Sequence, residues 1–255
     1  IIYCFIHLCL LRSGDPALRS TFFIIFHATG ISAMVFVTCD GLIYLYHDQY
    51  VTMNYAWLIY FSQMGKDAGG IGQMVGYTLM SINRYMVLRR AGENTKGSTW
   101  RSVAAVLLLQ FILPTALQFY KLKFTIMWTN KTFDGEWRVQ DFGMPFAHTR
   151  IARIIFAVVS SMALILTMSF NGATLYILKK ARNMRKSVGS SQQMRLHYYT
   201  IIMCAIFLLN IFLDILWSFA AFTENLSMKA TLGLNIFWII GVTVFSSPAL
   251  LLLMS

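Results

Sequence analysis

Charge is what this sequence has least of. Only 12% of its 255 residues are Asp, Glu, Lys or Arg, about half the fraction of an ordinary soluble domain. With 57% hydrophobic residues, a soluble fold of this length has too little core to hide its apolar surface. A lipid solvent removes that difficulty, so the chain reads as one membrane bundle. Acids are scarcer than bases: ten Asp+Glu against 21 Lys+Arg, a net charge of +11. Basic chains often bind nucleic acid, but here the basic residues sit in short gaps between apolar runs. That pattern belongs to membrane orientation, and no nucleic-acid partner is expected. The four cysteines, Cys4, Cys9, Cys39 and Cys204, all lie inside apolar runs. They show no metal-ligand spacing and no disulfide framework, and read as small core residues. Catalytic motifs are missing as well. The chain has no HExxH, no GxSxG and no Walker loop, and its five histidines (His7, His27, His47, His148 and His197) are scattered. No enzyme activity, cofactor or metal is expected.

What the chain does have is hydrophobic length. A spanning helix needs roughly 20 mostly apolar residues. Six runs qualify: 22–46, 57–88, 102–122, 151–178, 196–222 and 230–254. They are numbered two to seven, because residues 1–11 read as the stub of a first run. The expected fold is an all-α seven-helix transmembrane bundle over 1–255, one domain, as a fragment lacking the start of helix one and the tail. The gap from Lys123 to Arg150 contains TNKTFDGEWRVQDFG, whose turn residues and alternating apolar positions predict a short hairpin.

Loop charge sets the orientation. Gaps after runs one, three and five hold Arg12, Arg19, Arg89, Arg90, Lys96, Arg101, Lys179, Lys180, Arg182, Arg185, Lys186 and Arg195; gaps after runs two, four and six hold only Lys123, Lys131, Arg138 and Lys229. Twelve against four makes the first set cytoplasmic, with the N-terminus outside and the C-terminus inside a plasma membrane. Two glycosylation sequons, at Asn130 and Asn225, both fall on the external side.

Ionisable residues inside spans are expensive and point to function. Asp40 lies six residues from the outer end of its run, Asp214 eight and Lys66 nine, with Asp67 beside Lys66. At 1.5 Å per residue they share a layer roughly 9–14 Å deep. Such a layer is either an ion pair that only fixes packing or the polar floor of an outward-opening cavity. Run three also carries Gly65, Gly69, Gly72 and Gly76 at 4-3-4 spacing, a face that a neighbouring helix can approach closely. Its second face reads Lys66, Gly70, Gln73, Tyr77, Met80, Arg84, a polar track toward the cytoplasmic end. In run six Asn210, Asp214 and Trp217 share a face, and in run seven Asn235 and Trp238 sit one turn apart. Trp238 also suits an interfacial anchor. Pro248 is expected to kink run seven. The ligand-binding candidates are therefore Asp40, Lys66, Asp67, Gln73, Asp214, Trp217, Asn235 and Trp238.

The segment Met80-Ser81-Ile82-Asn83-Arg84-Tyr85 closes run three. It resembles the acid-Arg-Tyr motif of G-protein-coupled receptors, and more specifically the variant of nematode serpentine chemoreceptors of the Srg superfamily, classes such as Srv and Srg. The resemblance implies a small-molecule ligand from outside, a heterotrimeric G protein inside, and coupling through Asn83, Arg84 and Tyr85. The bland alternative for Arg84 is an anchor that snorkels to headgroups. Asn83 replaces the motif's acid, so no adjacent carboxylate locks Arg84. The usual outer-loop cysteine bridge is missing, the last run has Ser-Pro-Ala, and no mid-run lysine suits a retinal pigment. The rival expectation from the intramembrane charges is a secondary transporter, against which stands the lack of a repeated half.

Overall fold

The computed structural model describes residues 21–47, 56–89, 100–123, 127–133, 137–143 and 146–183, with isolated helical positions between 198 and 219. Run two folds as α1 (Thr21–His47) and run three as α2 (Ala56–Arg89). Run four is a broken rod: α3 (Trp100–Leu107), a π-helical turn (Leu108–Ile112), α4 (Leu113–Ala116) and a 3-10 turn (Phe119–Lys123). The hairpin forms as β1 (Met127–Phe133) and β2 (Trp137–Gly143), antiparallel, with Asn130 opposite Gln140. Run five is α5 (Phe146–Asn183). Helices satisfy every backbone polar group within the segment, which is why apolar runs in lipid take this form.

Thr21–Ile43, Ala104–Lys123 and Ile154–Lys180 are long and apolar enough to cross a membrane. α2 is longer than any membrane needs. Its 34 residues rise roughly 51 Å at 1.5 Å each, but they include Gln63, Lys66, Asp67, Gln73, Asn83 and Arg84. A helix this polar must spend its polar groups inside the bundle. α2 accordingly packs against α1, α5, the π turn, α4 and the 3-10 turn. α5 overruns its expected bounds at both ends and takes in Lys179 and Lys180, because helix-forming residues continue past the apolar limit.

The glycine face of α2 does what its spacing predicts. A Cβ on Gly69 would lie 2.7 Å from the Ser32 carbonyl oxygen and 2.8 Å from the Phe36 nitrogen, both backbone atoms of α1. One on Gly65 would lie 2.5 Å from Cys39 Sγ. One on Gly72 would lie 2.6 Å from the Gln110 carbonyl oxygen, and one on Gly76 would collide with Thr29 Oγ1. At Gly69 the α1 backbone itself excludes a side chain, and the other three glycines admit side chains of α1 or the Gln110 carbonyl of run four to close contact, so dispersion at short range holds α2 to its neighbours.

The break in run four has a local cause. Pro114 has no N–H to return to the Gln110 carbonyl four residues earlier, and the Leu113 N–H bonds instead to the Leu108 carbonyl, a π-type link. Gln110 is thereby turned into the bundle, buried, with Nε2 donating to Thr29 Oγ1 at 2.8 Å.

One apolar cluster fills the half of the bundle nearest Arg84. It joins Phe22, Ile25, Phe26 and Ala28 of α1, Met74, Tyr77 and Met80 of α2, Val106 of α3 and Ala163 of α5. Ile206, in run six, packs against it. Thr29, Ser32, Thr78, Ser81 and Thr174 donate their hydroxyls to carbonyls four residues back, the usual way such groups are satisfied in apolar surroundings.

Candidate functional site

α2 carries a polar centre at each end. At the first, Lys66 Nζ forms an ion pair with Asp40 Oδ1 of α1. Asp67 follows, turned about 100° around the helix, and faces run four, where Lys121 Nζ lies 2.6 Å from Asp67 Oδ2. Lys121 also donates to the Gln63 carbonyl at 2.8 Å. Two consecutive residues of α2 thus tie it to two different neighbours. The four charges sum to zero, which a low-dielectric setting demands.

The pairs share an asymmetry. On α2 the side chains keep some exposure, 34% for Lys66 and 27% for Asp67, whereas their partners are buried, 9% for Asp40 and 0% for Lys121. Burial is tolerable for Asp40 and Lys121 only while the α2 partner is present. Sequence reasoning found Asp40, Lys66 and Asp67 by matched depth but missed Lys121. The signal was there, since Lys121 lies inside run 102–122, but its place beside the run's end resembles an interfacial anchor.

The expected polar track between Lys66 and Arg84 is interrupted. Gln73 Nε2 donates to Tyr77 Oη at 3.2 Å, within α2. Gly70 is covered by Phe36 and Phe156, and Tyr77 and Met80 are buried in the apolar cluster. Aromatic and Met side chains fill this stretch, so the stripe links two separate polar centres through packed core. α2 is also pinned to α5 midway: Thr78 Oγ1 lies 3.1 Å from Thr167 Oγ1 and 3.4 Å from the Ala163 carbonyl.

At the second centre Asn83 and Arg84 are both buried. The Arg84 guanidinium carbon sits 5.0 Å from the centroid of the Phe22 ring. Its Nε and Nη2 are buried without a hydrogen-bond partner. A snorkelling anchor would keep its head in the interface, and this one is 6% exposed. Tyr85 is half-buried, its ring 5.4 Å from that of Phe170. Close by in α5, the Asn171 side chain is buried with neither amide atom hydrogen-bonded, a second polar group that sequence reasoning did not single out.

Asp214, Trp217, Asn235, Trp238 and Asn225 lie outside the described residues, as do Cys4, Cys9, Cys204 and Pro248. Asn130 is in β1. Among the described residues no group of His, Cys, Asp and Glu is arranged to hold a metal.

The family of serpentine type 7TM GPCR chemoreceptors Srv matches residues 1–255, the whole chain. No curated protein matches it. This is a receptor family, not an enzyme family, and it is one of the two classes that the Ser-Ile-Asn-Arg-Tyr segment resembled. A multi-pass helical bundle whose central helix ends in that segment, matched over its full length, is an integral membrane protein that belongs to the Srv family of serpentine seven-transmembrane chemoreceptors.

Proposed function

We propose that this chemoreceptor binds a small external ligand at the charged layer of α2 and passes the event to a heterotrimeric G protein at Arg84. The observation that carries this reading is the two-ended polarity of α2. Lys66 and Arg84 are eighteen residues apart on one helix, roughly 27 Å, with close-packed core between them. A rigid helix with a polar centre at either end suits a device in which a ligand shifts the balance between two helix arrangements.

The layer of Asp40, Lys66 and Asp67, with Lys121 added, is the floor of the ligand site, and Gln73 lies about two turns below Lys66. Asp214, Trp217, Asn235 and Trp238 complete the proposed lining from runs six and seven. Asn83, Arg84 and Tyr85 form the coupling end. In this orientation the N-terminus is external, the hairpin with Asn130 is external, and Arg84 lies at the cytoplasmic end of α2, on the side of the basic gaps. Asn130 and Asn225 are the proposed glycosylation sites.

The test is reconstitution of the full receptor in liposomes with purified heterotrimeric G protein. Small-molecule mixtures should raise nucleotide exchange on the G protein and produce no ligand accumulation inside the vesicles. Accumulation without exchange overturns the reading in favour of transport.

A further inference from the structure

We infer that Phe22 is the positioning residue that holds Arg84 at rest, in place of the acid that position 83 lacks. The inference rests on the reading of Arg84 as the coupling residue. Asn83 is neutral, and among the described residues no carboxylate forms an ion pair with Arg84. Something else must hold a guanidinium that is 94% buried, the complement of its 6% exposure. Among the described residues, the group that meets its charge is the face of Phe22, 5.0 Å from the guanidinium carbon. An aromatic face carries partial negative charge and attracts cations, most strongly where water is excluded.

Phe22 is itself well fixed. It is buried in the apolar cluster that also holds Met80, and its ring meets Phe23 edge-on at 5.5 Å, which in turn meets Phe26 at 6.5 Å. The contact joins the start of α1 to the end of α2. A ring differs from a carboxylate in what it leaves undone: it attracts the charge but accepts no directed hydrogen bonds. Nε and Nη2 accordingly remain unpartnered. Buried unpaired donors are costly, so the resting arrangement is held loosely and any partner offering oxygen acceptors draws Arg84 away. Loss of the ring should therefore favour the released state by about 5- to 30-fold, the equivalent of a desolvated cation–π contact of about 1–2 kcal/mol.

The experiment replaces Phe22 in the full chain with mono-, di- and trifluorinated phenylalanines, which keep its shape and drain its π face in steps. Ligand-free nucleotide exchange on the G protein is measured per receptor at the cell surface, with Phe22→Leu and Phe22→Trp alongside. Basal exchange should climb with each fluorine and be highest in Phe22→Leu, while Phe22→Trp, the stronger cation binder, stays at or below the parent level. A flat fluorine series, in a receptor whose signal Arg84→Ala abolishes, reduces Phe22 to packing and overturns the inference. If Arg84→Ala leaves signalling intact, the coupling reading itself falls and takes the inference with it.

Discussion

Lys121 is completely buried, and its ammonium nitrogen lies 2.6 Å from Asp67 Oδ2. Next to Asp67, Lys66 reaches the other way to Asp40. Each pair joins a partly exposed residue of α2 to a buried residue of a neighbouring helix, and the consequences of breaking each pair are unequal.

Removing the α2 member strands the buried one. Breaking a buried pair costs about 3–5 kcal/mol when a charge is left without its partner. Lys66→Met should therefore lower thermal stability in detergent more than Asp40→Asn, because it leaves Asp40 uncompensated. Asp67→Asn should do more harm than Lys121→Met by the same reasoning. Lys96→Met, in the basic gap after run three, should be near neutral. The double change Asp40→Leu with Lys66→Met should recover much of the loss. Equal melting temperatures for all the single variants would mean that the layer is solvated and its charges independent.

The glycine face gives a steric prediction. Gly→Ala in a helix interior is favourable by about 1 kcal/mol when nothing is in the way. At Gly172, where a Cβ meets nothing within 4 Å, Ala should be neutral or mildly stabilising. At Gly69 the new methyl group would strike the Ser32 and Phe36 backbone, and Ala should destabilise by about 1–3 kcal/mol, the range for overpacking. Melting curves of the two variants decide this. A Gly69→Ala receptor as stable as Gly172→Ala would mean that α1 and α2 stand further apart than described.

Topology is testable with single labels. Thr132→Cys in β1 and Ser190→Cys in the gap after run five are placed on opposite sides by the proposed orientation. In intact cells an impermeant thiol reagent should modify the first and not the second, and Asn130 should carry glycan. Reaction at Ser190→Cys alone would invert the bundle.

Much of this architecture was legible as hydrophobic length. α1 and α2 match runs 22–46 and 57–88 to within a residue at each end, because a membrane span is dictated by how far apolar residues continue. The tight contact at Gly69 was legible because small residues at 4-3-4 spacing share a face. Depth put Asp40, Asp67 and Asp214 in one layer with Lys66, since both ends of each run could be counted, but left open which acid Lys66 meets; the choice of Asp40 depends on how α1 and α2 face each other. Run four was less readable. Its Pro114 was plain in the sequence, but the π turn it accompanies and the inward swing of Gln110 depend on what Thr29 and Gly72 offer across the interface. Lys121 was hidden by its nearness to a run end, where lysine ordinarily reaches water. The burial of Arg84 was not legible either, for it depends on Phe22, which as a sequence feature is merely the first apolar residue of its run.

The central claim is that Arg84 passes the ligand signal to the G protein, and one comparison tests it most directly. Arg84 is buried at the end of α2, whereas Arg89, the helix's last residue, is exposed. Ligand-stimulated nucleotide exchange should be measured for Arg84→Ala and Arg89→Ala in membranes with matched surface expression and ligand affinity. The account predicts that Arg84→Ala reduces stimulated exchange to background while Arg89→Ala keeps most of it. The same small effect from both substitutions would contradict it and leave Arg84 a structural residue.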